Sequence, residues 1–224
     1  MRINVYVASA TSLSRRAADA AILAGRVRIS GRPAVLGDTV EPGEIVTLDS
    51  SPIVPRVDHT YIVLNKPVGY VSSRSQQGLA PTVYKLLPAE YSHLRIAGRL
   101  DEASQGLLLL TDDGDAIQRF THPSMGKIKT YRIVLSAPLS ITATRALAEG
   151  VKLRDGLSRP RLVESRGQHL IVELSEGRNR QLRRTFGALG YEVRKLERTA
   201  LGPFVLGDLP SGAWREATRE ELSA

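Results

Sequence analysis

Gly98-Arg99-Leu100-Asp101-Glu102-Ala103-Ser104-Gln105-Gly106-Leu107-Leu108-Leu109-Leu110-Thr111-Asp112-Asp113-Gly114 is a polar, glycine-bracketed loop delivered directly into an apolar strand. Such loops carry function out of proportion to their number, because a rigid element aims their side chains. The bracketing glycines allow tight turns and close approach of a ligand to the backbone. In a chain taken at random, the same string more often caps a strand, so its meaning depends on partners elsewhere.

Bulk properties narrow the chemistry those partners can perform. With 224 residues, 42% of them hydrophobic, the chain buries a real core and has room for a medium domain plus a small appendage. It has no cysteine, which excludes disulfides, a thiolate nucleophile and a Cys-based zinc site. His59, His93, His122 and His169 are scattered, with no pair at helical ligand spacing, so the expected chemistry uses no metal. No run approaches the ~20 apolar residues of a membrane span. The start Met1-Arg2-Ile3-Asn4-Val5 lacks the apolar block of a signal peptide, and a cytoplasmic location is the expectation. The net charge of +8, carried mostly by arginine, favours a polyanionic partner, although charge also serves solubility alone.

The first fifty residues read as a compact α-plus-β module. A short helix is expected from Ile3 to Ala8, then a second after Ser12-Leu13-Ser14. Ser14 is its natural N-cap, Leu13, Ala17, Ala18, Ala21 and Ile22 share one face, and Gly25 is the stop. Arg15 and Arg16 occupy the first turn, where positive charge opposes the helix dipole unless an anion such as phosphate offsets it. Val27 to Ser30, Arg32 to Val35 and Glu44 to Leu48 read as extended segments. The run Ser14-Arg15-Arg16-Ala17 followed by Ala24-Gly25-Arg26-Val27-Arg28-Ile29-Ser30-Gly31 resembles an S4 RNA-binding domain. That resemblance implies RNA phosphate contacts by Arg15, Arg16, Arg26 and Arg28. It departs from the family pattern at Val5 and Ser30. The expected organisation is an S4 domain over 1–50, a Pro- and Ser-containing linker over 51–59, and a larger domain over 60–224.

In the larger domain, strand-like runs recur at Tyr61–Leu64, Leu107–Leu110, Tyr131–Leu135 and Leu170–Leu174. Helical patterns fall at Thr82–Leu87, Asp115–Phe120, Ile141–Glu149 and Arg178–Leu189, with a short acidic helix between Glu216 and Glu221. This irregular order predicts an α+β domain with a mixed, mainly antiparallel sheet flanked by helices and loops.

The string from Gly98 through Ser104 and Gly106 to Gly114 closely resembles the motif of the RsuA/RluB/RluE/RluF family of ribosomal RNA pseudouridine synthases. The resemblance implies that Asp101 is the catalytic carboxylate and that Arg99 helps hold the target nucleotide out of its stack. Lys129-Thr130-Tyr131 resembles a second family segment, which places Tyr131 against the flipped uracil. Glu176-Gly177-Arg178-Asn179-Arg180-Gln181-Leu182-Arg183-Arg184 resembles a third, which implies that Arg183 pairs with Asp101. A buried carboxylate needs such a cation to stay ionised. Arg178, Arg180 and Arg184 are RNA-contact candidates, with a solvated basic helix as the plainer reading. Leu196 matches a base-packing position, and a core role explains it equally well. Asn65 and Lys66, in Leu64-Asn65-Lys66-Pro67-Val68-Gly69-Tyr70, have a structural or RNA-facing role. No cofactor is implied.

The activity implied is isomerisation of one uridine in ribosomal RNA, in the large subunit first and the small subunit second, by a monomer acting on a subunit precursor or protein-free RNA. A noncatalytic assembly factor is opposed by the presence of Asp101, Tyr131 and Arg183 together. A glycoside hydrolase would need a second opposed acid, which is not evident.

Overall fold

The computed structural model describes residues 1–11, 13–56, 58–76, 78–122 and 125–223. Ser12, in the expected turn between helices, and Val57, in the expected linker, lie outside them. The chain forms two compact units, Met1–His59 and Thr60–Ala224.

In the first unit, α1 (Ile3–Ala10) packs on α2 (Arg15–Leu23). The Ser14 side chain accepts from the Ala17 amide at 3.1 Å, and Gly25, at φ 69°, follows the last turn. Ala18, Ala21 and Ile22 bury the apolar face of α2 against Ile3, Val7, Val27, Ile29 and Val46. The four strands β1 (Val27–Ile29), β2 (Arg32–Pro33), β3 (Val46–Leu48) and β4 (Ser51–Ile53) form an antiparallel sheet in the order β2-β1-β3-β4.

Strand β4 corrects the expectation of a linker beginning at residue 51. Asp49 and Ser50 both take positive φ, 51° and 66°, and turn the chain in two residues, so that Leu48 pairs with Ser51. A tight turn of that hand suits the twist of a hairpin. Pro52 reads as a linker residue in sequence, yet an edge strand tolerates proline on its unpaired side.

The second unit is built on a mixed sheet. Its strands are β5 (Tyr61–Lys66), β6 (Arg95–Ala97), β7 (Gln105–Thr111), β8 (Lys129–Leu135), β11 (Arg161–Arg166), β12 (His169–Leu174), β13 (Val193–Leu201), β14 (Phe204–Val205) and β15 (Trp214–Glu216), with a separate hairpin β9 (Val151–Leu153) and β10 (Gly156–Ser158). The main order is β11-β12-β8-β13-β7-β5-β15, with β6 on β7 and β14 on β13. Every pair is antiparallel except β7 with β13. Leu108 and Leu110 join one core cluster and Leu107 and Leu109 another, so β7 is buried on both faces. That is why it reads as an unbroken apolar run instead of an alternating one.

The helices are α3 (Gly114–Thr121), α4 (Ile141–Glu149), α5 (Gln181–Ala188) and α6 (Arg219–Ser223). The expected helix at Thr82–Leu87 is a single tight turn of 3-10 geometry over Val83–Leu86. The helix expected to start at Arg178 begins at Gln181, because Arg180 adopts φ 46°, ψ 33°, the left-handed conformation that a right-handed helix excludes. Strand β13 was hidden by its charged residues, Arg194, Lys195, Glu197 and Arg198.

Two buried cations fix the loop between β6 and β7. Lys66 is fully buried, and its ammonium donates to the carbonyls of Pro67 at 2.9 Å, Ser104 at 2.7 Å and Glu102 at 3.4 Å. Arg198, only 1% exposed, donates from Nε to the Leu107 carbonyl at 2.8 Å and from Nη2 to the Gly98 carbonyl at 3.0 Å. Gly106 pairs with Arg198 in the short parallel register. It has φ 104°, and a Cβ there would stand 2.3 Å from the Arg198 carbonyl oxygen.

Two outcomes follow from this loop anchorage. Gly106→Ala adds a methyl group against backbone at a strained φ, and should cost about 3 kcal/mol, a fall of roughly 10 °C in Tm in thermal denaturation. A Tm within a degree or two of wild type would contradict the close approach. Burial holds the Lys66 ammonium at about 8, against the opposing pull of Asp101 and Glu102. Between that value and the ordinary 10.5, the folded protein binds fewer protons than the unfolded chain, so stability rises with pH across this window. Below it, the penalty of the buried charge is fully present. Urea titrations from pH 8 to 10 should therefore show wild type gaining on Lys66→Met, by at most about 1.4 kcal/mol per pH unit. A constant difference between the two would refute the shift.

Candidate active site

A cavity of about 500 Å³ opens over the carboxyl side of the loop. Local anchoring decides what faces it. Leu100 is buried in the core, and its amide and carbonyl are both bonded by the Ser72 hydroxyl, at 3.2 and 2.9 Å. With Leu100 held inward, Arg99 and Asp101 on either side of it line the cavity. Strand β8 contributes Tyr131, 8% exposed, and β13 contributes Leu196, 7% exposed. Their positions follow from strand periodicity, since Tyr131 lies opposite Arg198 and Leu196 is two residues before it.

Asp101 makes no hydrogen bond or ion pair through its carboxylate with any described residue. The expected ion pair with Arg183 is replaced by a different arrangement. Arg183 donates from Nη2 to the Ala103 carbonyl at 2.7 Å and from Nη1 to the Val193 carbonyl at 2.8 Å. It thus grips the loop's backbone two residues beyond Asp101 and acts on the carboxylate through space. Burial, and then the charge of Arg180, push the Arg183 guanidinium down from its ordinary range, while Asp101 pulls it up. The carboxylate at residue 101 therefore faces open space in the field of Arg183 and Lys66.

The remaining arginines divide by whether the protein already holds them. Arg178 bonds the carbonyls of Asp155 and Leu157 and the carboxylates of Asp155 and Glu176. Arg184 makes a two-pronged pair with Asp155 at 2.8 and 2.7 Å, which drives that carboxyl down to about 2. These two clamp the β9–β10 turn to the start of α5. Arg178 still borders the cavity, and Arg184 does not line it. Arg99 and Arg180 are exposed at the cavity, with no side-chain partner among the described residues.

In the first unit, Arg15 and Arg16 are likewise exposed and unpaired among the described residues. Arg26 is held by Asp49 through two bonds of 2.8 and 2.5 Å. Arg28 projects from the outer face of β1 and donates to the Gly31 carbonyl.

Sequence reasoning missed three buried cations. Lys66 reads in sequence as structural or RNA-facing, and its burial depends on strands distant in sequence. Lys129 and Arg198 line the cavity beside Tyr131 and Leu196. The signal for both is spacing: each stands two residues from a residue already singled out, and so on the same face of its strand.

The cavity thus combines an unpaired carboxylate, an aromatic ring, an apolar packing surface and a rim of free arginines, a set suited to a planar base on a polyanion. Comparison with known proteins agrees. Residues 60–188 match the family model for RNA pseudouridylate synthase. The chain is 34% identical to the dual-specificity RNA pseudouridine synthase RluF of Escherichia coli K12, over 99% of this chain and 77% of that protein. It is 35% identical to the ribosomal small subunit pseudouridine synthase A of Yersinia pestis, over 100% of this chain and 97% of that protein. A crystal structure of a pseudouridylate synthase superposes with a TM-score of 0.72 at 31% identity, over 100% of this chain and 98% of that one. The chain is a member of the RNA pseudouridine synthase family, with a mixed-sheet α+β fold and the isomerase activity of that family.

Proposed function

We propose that the protein converts one uridine of ribosomal RNA to pseudouridine with Asp101 as its catalytic carboxylate, and that large-subunit RNA is its substrate. The observation that carries the reading is the carboxylate of Asp101, left without a protein partner among the described residues and facing the cavity that Tyr131 and Leu196 line. The name of the Yersinia relative supports ribosomal RNA as the substrate class, and that of the Escherichia coli relative supports RNA. The Yersinia relative, named for the small subunit, makes small-subunit RNA the second reading.

The isomerisation breaks the bond from C1′ to N1 of uracil, turns the base and joins C1′ to C5. The hydrogen of C5 is released and N1 gains a proton, so atoms balance without a cofactor. An ionised carboxylate attacks the sugar, attacks the base or removes a ribose proton, and all three routes require Asp101 charged. Lys66 and Arg183 set positive charge around it. Tyr131 provides a stacking surface for the extruded base and a phenol within its reach, and Leu196 covers the apolar edge. Arg99 takes the space the nucleotide leaves.

The first unit contributes affinity. Its helix pair and hairpin support the S4 likeness, and Arg15 and Arg16 at the start of α2 offer charge that no described carboxylate neutralises. Arg28 joins them as a phosphate contact, and Arg26 does so only by sharing with Asp49.

Asp101→Asn keeps the side chain's size and removes its charge. Pseudouridine formation in ribosomal RNA should fall roughly 10³-fold or more while RNA affinity is retained. Mapping pseudouridine in both ribosomal RNAs from cells with and without the gene identifies the subunit, and an unchanged map in both would sink the reading. Arg15→Ala with Arg16→Ala should weaken RNA binding and flatten its salt dependence by about 0.9 in log–log slope per lost phosphate contact. Equal slopes would remove these arginines from the RNA surface.

A further inference from the structure

Lys129 and Arg198 form a second centre in the cavity, distinct from the carboxylate. Both are more than nine-tenths buried, and both line the cavity. They lie on adjacent strands of the sheet, Lys129 on β8 and Arg198 on β13. The charge of Arg198 acts with burial to push the Lys129 ammonium below its ordinary range. Two like charges are thus held together where water is scarce.

The protein neutralises them only in part. Among the described residues the Lys129 ammonium has one bond, 3.3 Å to the Lys127 carbonyl. Arg198 spends Nε and Nη2 on the carbonyls of Leu107 and Gly98, and its Nη1 has no acceptor among the described residues. Glu176 offsets part of the Lys129 charge, while its Oε1 is shared between Arg178 and Gln181. Glu197, next to Arg198 in sequence, is engaged elsewhere with Gln105 and Arg132. Neither cation has an ion pair with a described residue.

Burying charge that is only partly countered costs free energy, so two buried cations at the wall of a cavity, with Glu176 offsetting one of them, mark the place of an anion that arrives with the ligand. Uracil is neutral and ribose is neutral, so neither supplies it. The anionic group of RNA is the phosphodiester, whose two free oxygens suit a guanidinium and an ammonium lining one cavity. Lys129 is two residues from Tyr131 on the same face of β8, about 7 Å along the strand. A base resting on Tyr131 would carry its own phosphate toward this pair.

We propose that Lys129 and Arg198 form a phosphate subsite that binds the phosphodiester attached to the target nucleotide. The subsite rests on the reading that RNA enters this cavity, and it adds the contact that would hold the backbone while the base turns. Arg198 has a double position in this scheme, because the same guanidinium secures the loop carrying Asp101. Backbone binding and carboxylate placement are thereby joined in one side chain.

Lys129 gives the cleaner test, since Arg198 also anchors the fold. Lys129→Met, with Lys129→Gln as a second neutral variant, and Lys129→Arg are compared with wild type on in vitro transcribed large- and small-subunit ribosomal RNA. Binding is measured across a salt series, and the free proteins are melted. The neutral variants should bind 5- to 10-fold more weakly, with the salt slope lower by about 0.9 and Tm unchanged or raised. Lys129→Arg should restore slope and affinity. A neutral variant that melts lower but keeps the wild-type slope and affinity would overturn the subsite and leave Lys129 as a partner of Glu176. Pseudouridine measured in the same transcripts with wild type separates the two claims. A flattened slope without pseudouridine upholds the subsite against the proposed target, and pseudouridine with an unchanged slope removes the subsite alone.

Discussion

The structure of the second unit turns on cations bound to the backbone carbonyls of one loop. Arg198 holds Gly98 and Leu107, Lys66 holds Glu102 and Ser104, and Arg183 holds Ala103. The segment from 98 to 107 is therefore pinned at both ends and through its middle by side chains from β5, α5 and β13. Carbonyl oxygens are the appropriate partners for this purpose. They satisfy a buried cation's donors without cancelling its charge, so the Lys66 ammonium and the Arg183 guanidinium still act on Asp101. A direct ion pair would stabilise the carboxylate as well, but it would also occupy the oxygens that substrate must reach.

The same economy sorts the arginines of the whole chain. Arg178 and Arg184 are consumed by Asp155, and Arg26 by Asp49, so their charge is largely spent on internal geometry. Arg15, Arg16, Arg99 and Arg180 keep theirs. A count of basic residues therefore overstates the surface available to a polyanion, and the motif with the most arginines, Glu176 to Arg184, turns out to be partly a structural clamp. Arg180 lies between the two arginines of that clamp. This residue takes a left-handed conformation, and α5 starts only after it.

Much of this was legible in sequence because it depends on local rules. The Ser14 cap, the buried face of α2 and the doubly buried run of β7 follow from spacing and composition. The glycines around Asp101 announced a loop with special backbone. What sequence concealed depends on non-local pairing. Pro52 looked like a linker until β3 gave it a partner strand. Lys66 reads in sequence as structural or RNA-facing, and Lys129 and Arg198 carry no assigned role, because nothing near them in sequence shows that they are covered. Burial of a charged residue is decided by the acceptors it meets, and apart from the Pro67 carbonyl beside Lys66 those lie 36 to 100 residues away for Lys66 and Arg198.

Gly106 shows how tightly these choices are coupled. Its missing side chain lets β7 approach the backbone of Arg198, and that approach brings the guanidinium within reach of Gly98 and Leu107. Any larger residue would separate the strands and draw Arg198 away from the loop it secures. Leu100 would then lose the fixed geometry that Ser72 recognises, and the outward aim of Arg99 and Asp101 depends on Leu100 staying in the core. The placement of a carboxylate thus traces back to a hydrogen atom where a methyl group would be, five residues further along the chain.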